Sequence, residues 1–517
     1  MNWKDLMKTA TLLFVALFAF AACSDDDDDN KEEPKPKAED AALLTFGFYQ
    51  EDNAGVLSKD YVAQVPAVSA ATTTYNIEIP MPSVVDKSAL VARFTVTEGN
   101  TIVSGGVAQV SQQTKNDFTV PVDYTVTNSD QSQNLRYTVT VTKASNMAWT
   151  ETSVYDGTEV YSDARMKISP KDNLPYIAFK IRKDDNNKMS VLKFSGNSWQ
   201  QVGTEGFSAQ VNGSHYAFDI ALDGTPYVAY GDQEAESLKG ALSVMKFDGS
   251  QWIYVGGQGF FKVQAQYVGI AALENGLAVG LQNNSKTADI PQRALGVATW
   301  DGSAWTSGES ALLPAGQAMY TAKVGSNGKI ATLISINRGK IDDVNYGHNI
   351  FKYENGQWES LATNFLEPGA TQTSIAIGSF GTTVAPDGTI YAWTGDDVPT
   401  TGTYQVRLKK YDAAAKSWST VSGNTLPLGL EGGFESHISL SVAIAPDGTP
   451  FVAFNNFKDQ KKLYVISLDN ETKQWSAPEQ LAEGAADVNI SFASTGEGYI
   501  TYTDDSNHIH LLKFAEK

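Results

Sequence analysis

Only five of the 517 residues are histidine. Two of them, His215 and His437, stand at the head of alternating apolar runs that read as β-strands. Facing one another across a mouth, such a pair could share general base and general acid work in polysaccharide cleavage. Corresponding points of neighbouring runs carry Asp163, Arg165, Tyr216, Tyr267, Tyr320, Glu435 and Asp487. Aromatic rings interspersed with carboxylates suit a carbohydrate, because sugar CH faces stack on rings while hydroxyls take polar partners. The same tyrosines would equally serve to plug a channel. His508 and His510 share one face of a strand, yet no third metal ligand stands with them, and a solvated strand end accounts for both. The chain carries no phosphate-binding Gly-rich loop, no Gly-x-Ser-x-Gly elbow and no Cys/His zinc spacing, so neither metal nor cofactor is expected.

The runs that would position these residues recur. Trp149, Trp199, Trp252, Trp305, Trp358, Trp418 and Trp475 follow one another at intervals of about fifty to sixty residues. A second mark is a tight turn between two apolar runs: Asp172-Asn173, Asp223-Gly224, Asn275-Gly276, Asn327-Gly328, Asp387-Gly388, Asp447-Gly448 and Thr495-Gly496. Most are hairpin dipeptides, whose first residue tolerates positive φ and whose glycine adds no steric cost. A third mark precedes each tryptophan, as in "SVLKFSG", "SVMKFDG" and "NIFKYEN". Each unit reads as four short strands, which is the pattern of a β-propeller blade.

The last unit, ending "NHIHLLKFAEK", has no tryptophan strand, whereas "NMAWTETSVYDG" at 146–157 has one without partners. Pairing the two completes a seventh blade and leaves no open edge. The expectation is an all-β, seven-bladed β-propeller over 146–517. The repeated tryptophans are then core residues, as is Trp300. Trp393 is expected in the core too, given a one-residue slip of register. Connections between second and third strands, and between blades, are long and varied, so the rim that carries them is the candidate face and its central mouth the candidate site.

Ahead of these repeats, residues 41–144 alternate strictly. "FTVPVDYTV" sets Phe118, Val120, Val122, Tyr124 and Val126 on one face, and "LRYTVTVTK" does so with Tyr137, Val139 and Val141. An immunoglobulin-like β-sandwich acting as a spacer is expected there. Residues 1–22 have the charged start and apolar run of a signal peptide. They lead into Cys23, the single cysteine, which has no partner for a disulfide. Residues 23–40, "CSDDDDDNKEEPKPKAED", read as a hydrated, stiffened tether. A net charge of −20 disfavours nucleic acid and anionic lipid surfaces as partners.

"FAAC" resembles a bacterial lipobox, although Phe20 stands where such motifs usually carry leucine. The acidic run behind it resembles the export signal of Bacteroidetes-type surface lipoproteins. In overall plan the chain is similar to the outer-membrane lipoproteins that accompany Bacteroidetes glycan uptake. That resemblance implies lipidation at Cys23, a lipid anchor in the outer membrane with the protein facing outward, and non-catalytic glycan binding by the propeller's long-loop face. Two alternatives stand beside it. One is a polysaccharide lyase or glycosidase using His215 and His437, by analogy of fold; the other is an interaction scaffold for an outer-membrane partner protein.

Overall fold

The structure is a computed structural model that describes residues 40–516, apart from 145, 158–159, 184–185, 313–317, 339–346, 366–378, 399–402, 424 and 431–437. Cys23 and the tether therefore lie outside the described residues. The described chain is all-β, with one 3-10 turn at Val421–Gly423.

The first hundred described residues form a three-stranded and a five-stranded sheet, with a two-stranded ribbon beside them. Asn134–Lys143 pairs antiparallel with Val122–Thr127 across the polar turn at 128–133, and parallel with Thr74–Met81 on its other side. Between the sheets lies a core that includes Phe46, Phe48, Phe118, Tyr124, Tyr137 and Val139. The alternation expected from Phe118 onward begins later. Val120 is 62% exposed, because Pro121 cannot donate a ladder hydrogen bond and the strand starts at Val122.

The remainder forms seven four-stranded antiparallel sheets. Their first strands are Val160–Ile168, Val211–Ile220, Ala265–Leu273, Ala318–Ser326, Gly381–Val384, Leu440–Ile444 and Ala486–Phe492. Each of these contacts the next, and the seventh packs against the first, so the seven first strands encircle a central channel. The fourth strand of the seventh sheet comes from the other end of this region: Met147–Tyr155 pairs with Ile509–Glu516, setting Trp149 opposite Phe514.

Three of the recurring tryptophans tie their sheet to the one before by the same hydrogen bond. The indole N–H groups of Trp252, Trp305 and Trp418 donate to the carbonyls of Val202 at 2.8 Å, Val255 at 2.8 Å and Leu361 at 3.2 Å. Each acceptor sits at the same place on the sheet before. An indole at these places fills the gap between outer strands and can donate across it. Trp475 reaches back to Ser422 Oγ at 2.8 Å instead and meets Leu468 in a single bridge, while the indole N–H groups of Trp199 and Trp358 are buried without a partner among the described residues.

The seven tight turns have positive φ at their second residue only, from 57° at Asn173 to 142° at Gly276. The tolerance for positive φ expected to matter at the first residue is not used. Instead the Asp side chain at the first position takes a backbone N–H two residues on, as Asp223 does from Thr225 at 2.9 Å and Asp387 from Thr389 at 2.8 Å.

These short turns also carry the join to the N-terminal sheets. The N–H of Asp447 donates to the Val84 carbonyl at 3.3 Å, Val84 packs into the core of the sixth and seventh sheets, and Lys59 pairs with Glu516. The N-terminal sheets thus sit against the short-turn rim and leave the opposite, long-loop rim uncovered by them.

Candidate functional site

At the long-loop end five of the seven first strands enter the ring through an irregularity. Register shifts fall between Tyr161 and Arg165, Val211 and Tyr216, Gln266 and Gly269, Met319 and Thr321, and Ala486 and Asn489. Bulges of this kind re-aim side chains and cluster beside functional sites. Counting back from the paired residues, Asp163, His215, Tyr267 and Asp487 occupy one equivalent position. Three of the four are left-handed: Asp163 at φ 85°, Tyr267 at φ 47° and Asp487 at φ 49°. A non-glycine residue held there costs on the order of 1–3 kcal/mol.

What holds them is a circumferential chain of hydrogen bonds. The Asp163 N–H donates to Asp487 Oδ2 at 2.6 Å, closing the seventh sheet onto the first. The Tyr267 N–H donates to His215 Nδ1 at 3.2 Å, and the Val488 N–H to Ser439 Oγ at 2.7 Å. Each side chain thereby accepts from the backbone of the following sheet. Burial raises the Asp487 pKa, against the Asp163 N–H bond, which lowers it. Tyr267→Gly should relieve the left-handed strain and leave stability unchanged or raised by up to about 1 kcal/mol. Chemical denaturation would show it; a loss of several kcal/mol would mean that the ring is needed for packing.

His215 is committed by this arrangement. Its Nδ1 accepts the Tyr267 N–H, so in the neutral ring the proton sits on Nε2. Burial, and next the positive charge of Arg165, lower its pKa. It is therefore a neutral hydrogen-bond donor at the mouth, its one accepting nitrogen already used. His437 and Glu435, its expected companions, lie outside the described residues. Tyr320 falls at the register shift between Met319 and Thr321.

Tyr216 is one residue from His215 and faces the other way. It is fully buried, and its hydroxyl donates to the carbonyls of Asp163 and, at 3.0 Å, Ala178. Burial drives its pKa well up. Tyr216 therefore does not line the mouth but forms a platform: the Arg165 guanidinium lies over its ring, 4.4 Å from the centroid. Arg165 also approaches the Asp163 carboxylate at 3.5 Å.

Counting strands alone misses Lys323. It holds in the fourth sheet the position of Arg165 in the first, one pleat below the mouth. The following sheet supplies Phe380 at the position of Tyr216, and the Lys323 ammonium stands over that ring at 4.8 Å. Lys323 is exposed although its strand is packed on both sides, so the water it meets is that of the channel. Surrounding protein and, secondarily, the charge of Arg165 hold its pKa down to about 8. The signal available in the sequence was the register, not the strand start.

Trp393 is core, with 7% exposure, but needs no slip. It pairs with Gly381 on one side and Leu408 on the other. That is the place of Ala229 between Ala217 and Val244, and its indole occupies the space a Gly381 side chain would need. Trp300, paired with Trp305, packs against the core between the second and third sheets. His508 and His510 are engaged with carboxylates: Asp504 lies 3.3 Å from His508, and His510 bridges Glu151 at 2.9 Å and Asp504 at 3.2 Å. Among the described residues no group of three His, Cys, Asp or Glu could hold a metal ion.

Known proteins bear on one part of the chain. Residues 61–141 match the family model described as "SGBP, N-terminal". The initials denote surface glycan-binding protein, and the match covers the N-terminal sheets alone. No curated protein matches the chain significantly.

Among solved structures, a Dyadobacter fermentans protein of unknown function is similar at 12% identity and TM-score 0.42, over 72% of this chain and 100% of that one. A mutant Aleuria aurantia lectin in complex with Fucα1-6GlcNAc is similar at 14% and 0.33, over 58% and 91%. A Penicillium chrysogenum α-L-arabinanase complexed with arabinobiose is similar at 11% and 0.34, over 58% and 92%. Likenesses this distant say nothing of ligand or activity.

Proposed function

We propose that this protein is a cell-surface lipoprotein that binds a glycan at the channel mouth on the long-loop rim. The observation that carries the reading is the match of residues 61–141 to the N-terminal model of the surface glycan-binding proteins. In this reading residues 1–22 are removed as a signal peptide, Cys23 is acylated in the outer membrane and 23–40 is the tether. Residues 41–144 are the immunoglobulin-like spacer, and 146–517 are a seven-bladed β-propeller.

The geometry supports the assignment of faces. The spacer meets the ring on its short-turn rim, so an anchor attached through it leaves the mouth pointing away from the membrane. The mouth offers what a sugar needs: the Tyr267 ring, the Nε2–H of His215, the Asp163 carboxylate and the Arg165 guanidinium. Several polar groups fixed on rigid strands orient hydroxyls without strong individual bonds. Binding without turnover is the reading adopted, since His215, its Nδ1 already accepting, can donate but cannot serve as a general base.

Native affinity electrophoresis of the full-length protein in detergent tests this directly, with neutral and acidic polysaccharides cast in the gel. Slowed migration on at least one polysaccharide, without product release, is the expected outcome. Unretarded migration on the whole panel would remove the reading.

A further inference from the structure

We infer that the channel grips an acidic sugar, the carboxylate or sulfate of a glycan seated between Arg165 and Lys323; this rests on the glycan reading above and narrows it.

Charge placement carries the inference. The ring position one pleat below the mouth is filled by Arg165, Ala217, Gly269, Lys323, Gly381, Ser441 and Asn489. It holds two cations and no carboxylate. The cations stand in the first and fourth of seven sheets, across the channel from one another, and each lies over an aromatic ring of the following sheet. The device is built twice. One further pleat down, the cation Lys167 does have a partner, Asp219 at 3.2 Å. No described carboxylate lies within ion-pair distance of Lys323, and Arg165 has only Asp163 at 3.5 Å.

Two like charges facing each other in a protein-walled channel repel, and burial first and that repulsion second depress the Lys323 pKa. An anion between them would remove it and would meet a fork of donors on one side and an ammonium on the other. The chain as a whole carries −20, so a dense polyanion is repelled at long range. Within about one Debye length, roughly 10 Å, the local cations dominate. The occupant is therefore a glycan whose acidic group enters the channel singly, as a terminal or branching sugar.

The pH dependence has a definite sign. Lys323 loses its charge as pH rises through about 8, so affinity for the anion falls from pH 7 to pH 9. Arg165 and Asp163 are the charged groups acting on Lys323. Of the strands packed against it, Ala265–Leu273 brings only Tyr267, Gly381–Val384 brings no titratable group, and Ala331–Arg338 carries Arg338 at its far end, opposite Ala318.

Affinity electrophoresis of the full-length protein would use polygalacturonate, glucuronoxylan and chondroitin sulfate, each beside its carboxyl-reduced or desulfated form. The expected result is at least tenfold tighter retention on glucuronoxylan, whose acid stands on a branch, than on its reduced form, with a smaller preference on the two dense polyanions. That gap should close in the Arg165→Gln/Lys323→Met double variant, and Lys323→Arg should keep it at pH 9. Equal retention on acidic and neutral members overturns the inference and leaves glycan binding standing, as does retention on neutral glycans only. An acidic preference untouched in a double variant that unfolds at the wild-type midpoint overturns the siting. No retention on any polysaccharide overturns both readings.

Discussion

Replacing Trp149 by alanine should cost about 4 kcal/mol of folding stability, the range for truncating a large buried aromatic. Trp149 belongs to a strand that reaches its sheet from the other end of the ring region. Its indole is 5.1 Å from the Phe514 ring and 6.4 Å from that of Phe492. It shares a core with Phe451, Ile500, Leu512 and, from the N-terminal sheets, Val84. The loss would therefore strike two joins at once: the closure of the ring and the seat of the preceding sheets. It would also loosen the cover on the Ile509–Glu516 strand, whose outer edge is otherwise open to pairing with other molecules. Denaturant unfolding of the variant should show a lower midpoint, and aggregation should set in during the transition. A change below about 1 kcal/mol, the level of an ordinary surface substitution, would mean that 147–155 is a linker and not a structural strand.

The second large effect is expected at Gly381. An ideal Cβ built there would lie 2.1 Å from the Trp393 ring, far inside contact distance. Gly381→Val should cost about 3 kcal/mol, since overpacking forces neighbours off their rotamers. Trp393→Ala alone should cost about 4 kcal/mol by leaving a cavity. Other sheets solve the same place with two small residues, Ala217 opposite Ala229 and Ser441 opposite Ala453. The double variant Gly381→Ala/Trp393→Ala recreates that solution. Its cost should fall short of the summed single variants by at least about 1 kcal/mol. Strict additivity would show that the two positions do not share one space.

The repeat was legible because its causes are local. Each turn needs one residue able to hold positive φ, and Asn173, Gly224 and Gly276 through Gly496 mark those places in the chain. Each recurring tryptophan holds one place in a repeated sheet, and Trp252, Trp305 and Trp418 reach back from it to the equivalent carbonyl of the sheet before. The pairing of Trp149 with Phe514 was readable as a matter of supply, one strand lacking a partner and one partner lacking a strand.

The mouth was only partly legible. Strand alternation places neighbours on opposite faces, but the bulges at five of the strand starts decide which neighbour faces in, and nothing in "SHYAF" announces that His215 lines the mouth while Tyr216 is buried. Lys323 was hidden for a related reason. It is equivalent to Arg165 only by pairing register, and the turns between differ in length, so aligning strand starts misplaces it. Trp393 invited a slip because a tryptophan at an alanine position seems too large until Gly381 is seen opposite.

The central claim is that a glycan occupies the channel beside Lys323. Peptide-mapped acetylation of the full-length protein, with and without a retained polysaccharide, tests it most directly. Lys329 lies on the same sheet at the opposite, short-turn rim and is also exposed, so it serves as the internal control. Saturating glycan should slow acetylation of Lys323 at least fivefold and leave Lys329 unchanged. Equal rates at Lys323 with and without bound glycan would contradict the claim.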